Sequence, residues 1–150
     1  MITQPLSTVP ADMAALPVGE QPTLFAPAGR DTSEELRRKR SLIEKAAVFQ
    51  AAIDAIPAIV LVLSENRQVV GANEAMLGAF GLQIDDILGK RPGEIFGCVN
   101  ANIGPDGCGT ARQCMTCGAV LAVLGSQETG GQRARECRLL CGEQRGQMAK

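Results

Sequence analysis

No histidine, tryptophan or tyrosine occurs anywhere in this chain. The missing histidine removes Ser–His and Cys–His nucleophile pairs, haem on a proximal histidine, histidine-containing zinc sites and a phospho-accepting histidine within these residues. Aromatics are reduced to four Phe, so stacking platforms for single-stranded nucleic acid are nearly absent. Neither sign of charge prevails: 15 Lys and Arg against 16 Asp and Glu leave a formal net charge of -1. That offers no broad electrostatic grip on DNA or RNA. Long apolar runs are lacking too. The longest, Ala55 to Leu63, is interrupted by Pro57 and falls short of the about 20 residues that cross a bilayer. The first residues have neither the basic start nor the apolar core of a signal peptide. A soluble, cytoplasmic protein with no nucleic-acid or membrane partner is expected.

What the chain does have is cysteine. Four of its six lie between Cys98 and Cys117 in the order C-x9-C-x5-C-x2-C. In the cytoplasm these are thiols, metal ligands or redox centres rather than structural disulfides. Gly97, Gly104, Pro105, Gly107 and Gly109 mark the segment as loop. Thr110 and Gln113 then read as a capping box for a helix running to about Leu124, with Cys114 and Cys117 in its first turn and on one face. The positive end of a helix favours a thiolate, the form of cysteine that reacts and binds metal.

Four readings of Cys98, Cys108, Cys114 and Cys117 compete. They hold an iron–sulfur cluster. They bind Zn²⁺ tetrahedrally, a bond set that contributes about 10–16 kcal/mol in small peptides. They are metal-free redox thiols, with a Cys114–Cys117 disulfide. Or they are small buried side chains. The density of cysteine in glycine-rich loop favours a metal or redox role over inert packing. Spacing does not separate cluster from zinc. Cys137 and Cys141, four apart on an expected strand, face one side and read as packing, with an accessory ligand role open to them.

No enzyme is expected. A thiol–disulfide oxidoreductase is the one class with support, from the C-x2-C at a helix start, but the thioredoxin strand–helix–strand context is missing. Asp85 and Asp86 are neighbours on a helix and point apart. The loop glycines do not follow a phosphate-loop spacing with a Lys.

Three regions are expected along the chain. Residues 1–31 carry Pro5, Pro10, Pro17, Pro22 and Pro27 without apolar period and read as a disordered arm. Residues 32–56 read as one helix, opened by a Thr32–Glu35 capping box. Its Leu42, Ala46, Phe49, Ile53 and Ile56 form a heptad-like seam, which either lies on the domain's own core or pairs with a second copy. The seam's length, about two heptads, favours the first. The basic run Arg37 to Arg40 reads as a solvated face. Residues 57–150 read as the folded module. Pro57 ends the helix, and strands follow at Ala58–Leu63 and Gln68–Ala72. Asn73 caps a helix over Glu74–Phe80 that Gly81 stops. A turn of helix at Ile84–Leu88, the cysteine loop and its helix come next. A glycine-rich turn covers 125–131, Ala134–Cys141 is a strand, Gly142–Gly146 a turn, and a further strand begins after it.

This order, with AIPAIVLVLSENRQVVGANEAMLGAFGLQIDDILGKRPGEIF at its front, resembles a PAS domain. The matching points are Asn73 and Ala75 opening the helix, Phe80-Gly81 closing it, and Leu88-Gly89-Lys90 after the next turn. The resemblance spans Leu42 to Cys141. It implies an α+β fold, an antiparallel sheet with helices on one face. It also implies a sensory role in signal transduction. The cysteine segment is similar to that of a subset of bacterial PAS domains attached to histidine kinases, as in two-component systems. On that likeness Cys98, Cys108, Cys114 and Cys117 would sense redox state or bind an iron–sulfur cluster, although other cluster-bearing PAS sensors use two C-x2-C pairs and this chain has one. A homodimer through the 33–56 helix and a downstream kinase module are the implied partners. The alternative is a PAS interaction module whose cysteine loop holds structural zinc or no metal. A PAS domain ends in three strands and this chain supplies about one and a half, so an incomplete sheet with an open Ala58–Leu63 edge is expected.

Overall fold

The computed structural model describes residues 23–142. Residues 1–22, with most of the expected arm, lie outside that range, as do residues 143–150, with most of the last turn and the further strand.

Thr32 caps α1 (Ser33–Lys45) as its spacing to Glu35 requires. Its hydroxyl accepts from the Glu35 N–H at 3.2 Å, and the Glu35 carboxylate accepts from the Thr32 N–H at 2.8 Å. The helix does not run on to Ile56. Ala46 leaves the helical region (φ -93°, ψ 66°) and α2 (Ala47–Asp54) starts afresh. The bend has a cause in packing. α1 lies against strand β2 (Val69–Ala72), while the end of α2 is held by Asn73, just beyond that strand. One straight helix cannot reach both. The seam is split with it: Ile53 is buried, and Leu42, Phe49 and Ile56 are exposed.

β1 (Leu61–Leu63) and β2 form an antiparallel hairpin with an irregularity at Val62/Leu63. Arg67 takes a left-handed φ of 64° in its turn. Asn73 is the hub of this half and is fully buried. Its Oδ1 accepts from the N–H groups of Met76 and Val60, both at 3.0 Å. Its Nδ2 donates to the carbonyls of Ile53, Ile56 and Ala58 at 3.1, 3.3 and 2.8 Å. One side chain thus caps α3 (Glu74–Phe80) and ties it to α2 and to the lead into β1. Gly81, left-handed at φ 62°, ends α3. In α4 (Ile84–Ile87), Asp86 accepts from the Gln83 N–H, a capping role. Val69, Ala72, Met76 and Ile87 form the core, flanked by Leu61, Leu63 and a tilted Phe80–Phe96 pair with centroids 5.2 Å apart.

The cysteine half departs further from expectation. α5 (Pro92–Ile95) leads into it, and α6 (Asn100–Ile103) is a helical turn inside what reads as loop. Thr110 caps no helix. It is fully buried, its hydroxyl donates to Gly107 O at 2.8 Å, and it accepts from the Asp106 N–H at 3.1 Å. The tight Pro105–Gly107 bend leaves backbone groups within its reach, and they take it. Arg112–Thr116 is a 3₁₀ turn, and Cys117 is extended (φ -73°, ψ 116°) as the N-cap of α7 (Gly118–Thr129). Cys114 and Cys117 therefore lie in separate elements, not in one helical turn. α7 continues through Gly125 and ends at a left-handed Gly130, five residues beyond the expected Leu124 end at Thr129.

The expected strand over Ala134–Cys141 carries no ladder. Among the described residues it is an extended strap with one bridge, Cys98 to Cys141, and its backbone hydrogen bonds run to loop 97–99. Seven α-helices and a two-stranded sheet among the described residues give the expected α+β class with an incomplete, PAS-like sheet.

Residues 23–31 depart from the unpacked arm expected over 1–31. Leu24 and Ala26 donate backbone N–H groups to Thr110 O and Gly109 O, both at 3.0 Å. Ala26 joins Ala111, Cys114 and Val120 in a second, smaller core, with Phe25, Cys117 and Leu124 around it.

Candidate functional site

A cavity of about 680 Å³ lies between the two halves. Leu63 and Phe96 line it from the hairpin side, and Cys98, Cys108, Cys114, Cys117 and Cys137 from the other. All four cysteines singled out from sequence thus meet one space, and Cys137 joins them. Cys141 does not; its thiol donates to Phe96 O at 3.3 Å. The volume is within the about 300–1,000 Å³ of small-ligand sites.

Three placements bring the sulfurs there. Gly93, in the first turn of α5, has Cys108 against its bare Cα. A Cβ at that position would come within 2.7 Å of the Cys108 sulfur and 3.3 Å of the Cys98 Cβ. Cys114 is buried under Ala26 and Val120. Cys117 sits at the start of α7 with its Sγ 3.8 Å from that of Cys137.

The loop is braced by arginine. Arg91, fully buried, donates to the carbonyls of Asn66 (3.1 Å), Asp106 (2.8 Å), Ala28 (2.9 Å) and Gly29 (2.6 Å), and its charge faces the Asp106 carboxylate at 3.5 Å. Burial lowers its pKa to about 10, with Arg67 and Arg30 adding to the shift, so it stays charged at neutral pH. Arg30 spans Glu94 and Asp106, and Glu94 accepts from the Cys108 N–H at 3.2 Å. Sequence reasoning passed over Arg30, Arg67, Arg91, Glu94 and Asp106. The one local signal, the Arg91–Glu94 spacing around Pro92, foretells a helix start and not the cross-chain bracing.

Arg67 bears on the chemistry directly. It is buried, lines the cavity, donates to Pro27 O at 2.7 Å and has no ion-pairing carboxylate among the described residues. Burial lowers its pKa, and the Cys108 and Cys114 sulfurs and Asp106 act in the opposite direction. A buried cation beside thiols favours their ionised form. Cys108 itself is pushed up to about 11, by burial first and by the neighbouring Cys114 and Cys117, against the Gly93 N–H. Cys108 is therefore a neutral thiol as it stands and would give up its proton on binding a metal.

The donor set is soft and all sulfur, the kind that suits Zn²⁺ and iron–sulfur clusters. Among the described residues no three Cys, Asp or Glu side chains gather closely enough to hold one ion. Tetrahedral zinc needs four ligands at about 2.0–2.3 Å from a point. Here the sulfurs line a larger space.

Residues 47–98 match the family model described as PAS fold. The match supports a PAS domain over α2, the hairpin, α3 to α5 and the chain up to Cys98, and a PAS domain is a sensory or signalling module rather than, in general, a catalyst. The matched segment ends at Cys98 and does not reach Cys108, Cys114 or Cys117. No curated protein and no solved structure matches the chain. No helix among the described residues is long and apolar enough to cross a membrane.

Proposed function

We propose that this chain is the sensory module of a signalling protein, and that its cysteine-lined cavity is the input site, reading redox state through an iron–sulfur cluster on Cys98, Cys108, Cys114 and Cys117. The observation that carries the proposal is the convergence of these four cysteines, from separate turns of backbone, on one cavity beside Arg67. A cluster on four thiolates carries net negative charge, and a buried guanidinium with no ion-pairing carboxylate among the described residues suits it. Sulfurs that line a cavity without closing on one point suit a polynuclear centre better than a single ion. When bound, the cluster supplies electron exchange and lability to oxygen. The residues do the rest: Gly93 lets Cys108 approach Cys98, Arg91 and Arg30 fix the loop, and Arg67 offsets thiolate charge.

Output would leave through α1 and α2, whose exposed Leu42, Phe49 and Ile56 offer a face to a second copy or to a kinase module. Anaerobic purification tests the input. Brown protein with iron and sulfide in comparable amounts, bleached by air and lost in Cys108→Ser, is expected. Colourless protein with one equivalent of zinc favours the alternative, a PAS interaction module with a structural metal. Metal-free protein with a loop just as ordered favours that module without metal, a reading for which the Arg91 bracing speaks.

A further inference from the structure

The strap over residues 132–142 is seated on the cavity by a contact that the four-cysteine site does not use. The Cys117 and Cys137 sulfurs are 3.8 Å apart. Cys117 is the N-cap residue of α7, and Cys137 is exposed. Gly118 makes the approach possible. A Cβ there would collide with the Glu136 carbonyl, so the strap's backbone crosses α7 where the helix has no side chain. Farther along, Val99 N–H donates to Leu140 O at 2.8 Å and Gly142 N–H to Gly97 O at 3.3 Å. The strap is thus pinned by backbone at one end and by a pair of thiols at the other.

We propose that Cys117 and Cys137 form a reversible disulfide, made by a hydroperoxide, that locks this strap onto the N-terminus of α7. The sulfurs need only close from 3.8 Å to the about 2.05 Å of a disulfide. The chemistry balances. One of the pair, as thiolate, attacks the peroxide O–O bond, takes one oxygen as sulfenic acid and releases the other as water or alcohol. The second sulfur then attacks the first and expels the sulfenic oxygen as water. Two thiols lose two electrons and two protons, and one hydroperoxide is reduced. This goes beyond the cluster reading and needs no metal. Because Cys117 serves both, cluster and disulfide exclude each other. It also moves the disulfide expected for Cys114–Cys117 to a different partner, since Cys114 is buried in the second core and Cys137 lies at the surface.

The test uses the full chain, reduced, stripped of metal with a chelator and treated with hydrogen peroxide before free thiols are alkylated. Cleavage after Arg and Lys releases Cys137 in residues 136–138 and Cys117 in residues 113–133. Alkylatable thiols should fall from six by two, the two peptides should be joined, and dithiothreitol should restore the loss. Fragmentation of the joined peptide places the link at Cys117 rather than Cys114, and Cys114→Ser should keep it while Cys117→Ser and Cys137→Ser abolish it. A Cys114–Cys117 link with Cys137 alkylated, or no link, overturns the proposal. Iron content of the anaerobic protein is read separately, so failure of the disulfide and failure of the cluster are distinguishable.

Discussion

The two halves of the molecule are each organised around one buried polar side chain, and the two hubs work differently. Asn73 serves partners in the stretch that leads up to it and in its own helix. It caps its own helix and reaches back to the helix-to-strand connection just before the hairpin. Around it lies an ordinary aliphatic core of Val69, Met76 and Ile87. Arg91 instead joins carbonyls from the N-terminal strap, the hairpin turn and the cysteine loop, and the core beside it is small, made of alanines, a valine and a cysteine. The first half is stabilised by apolar burial, the second by a charge reaching scattered backbone. The family match takes in both Asn73 and Arg91 and ends at Cys98, and the cavity sits at the seam, where small side chains and glycines leave space unfilled.

The comparison can be broken most severely at Arg91. Arg91→Met should cost about 3–5 kcal/mol, the range for removing one partner of a buried charged pair. The loss should be local: hydrogen exchange should rise over residues 104–117 and the strap 23–31 while Met76 stays protected. Uniform loosening would mean that the halves are one cooperative unit. Asn73→Ala should cost about 2 kcal/mol, from a lost cap and unsatisfied carbonyls, measured by urea unfolding. Asn73→Asp keeps the cap acceptor but aims a charge at three carbonyls, so it should be no milder.

Smaller effects sharpen the boundary. Gly118→Ala must shift the strap or α7 and should cost about 1–3 kcal/mol, as overpacking does. Its signature is faster trypsin cleavage at Arg135 and Arg138 without loss of hairpin protection. Acid should act on the cysteine half through Glu94. Burial pushes the Glu94 carboxyl up, but hydrogen bonds from Arg30 and from the Arg91 and Cys108 N–H groups outweigh it and leave it below its ordinary 4.5. A group held lower in the folded state contributes fully above the unfolded value and loses that contribution as pH falls through the folded one. Amide resonances of Arg91 and Cys108 should therefore move only below pH 4.5, with that of Met76 unmoved.

Legibility in the sequence follows the same division. The Thr32–Glu35 box, the Asn73 cap, the Gly81 stop and the hairpin read correctly because each depends on residues within a few positions of one another. The α1–α2 bend escaped because it answers to β2 and Asn73, more than 20 residues on. Thr110 differs for another reason: both uses of its hydroxyl are local, and the Pro105–Gly107 bend just before it takes the hydroxyl ahead of a helix start. For Cys98, Cys108, Cys114 and Cys117, spacing carried the choice of residues. It carried neither the placement of Cys117 beside Cys137 nor the presence of Arg67.

The sequence alone determined the local elements of the hairpin half and picked out the cysteines, since capping, turn chemistry and short apolar runs act between near neighbours. Tertiary structure decided that the sulfurs line one cavity, that buried arginines hold their loop, and that a glycine lets the strap set Cys137 against Cys117. Those outcomes depend on which distant backbone groups meet, and no spacing along the chain encodes that.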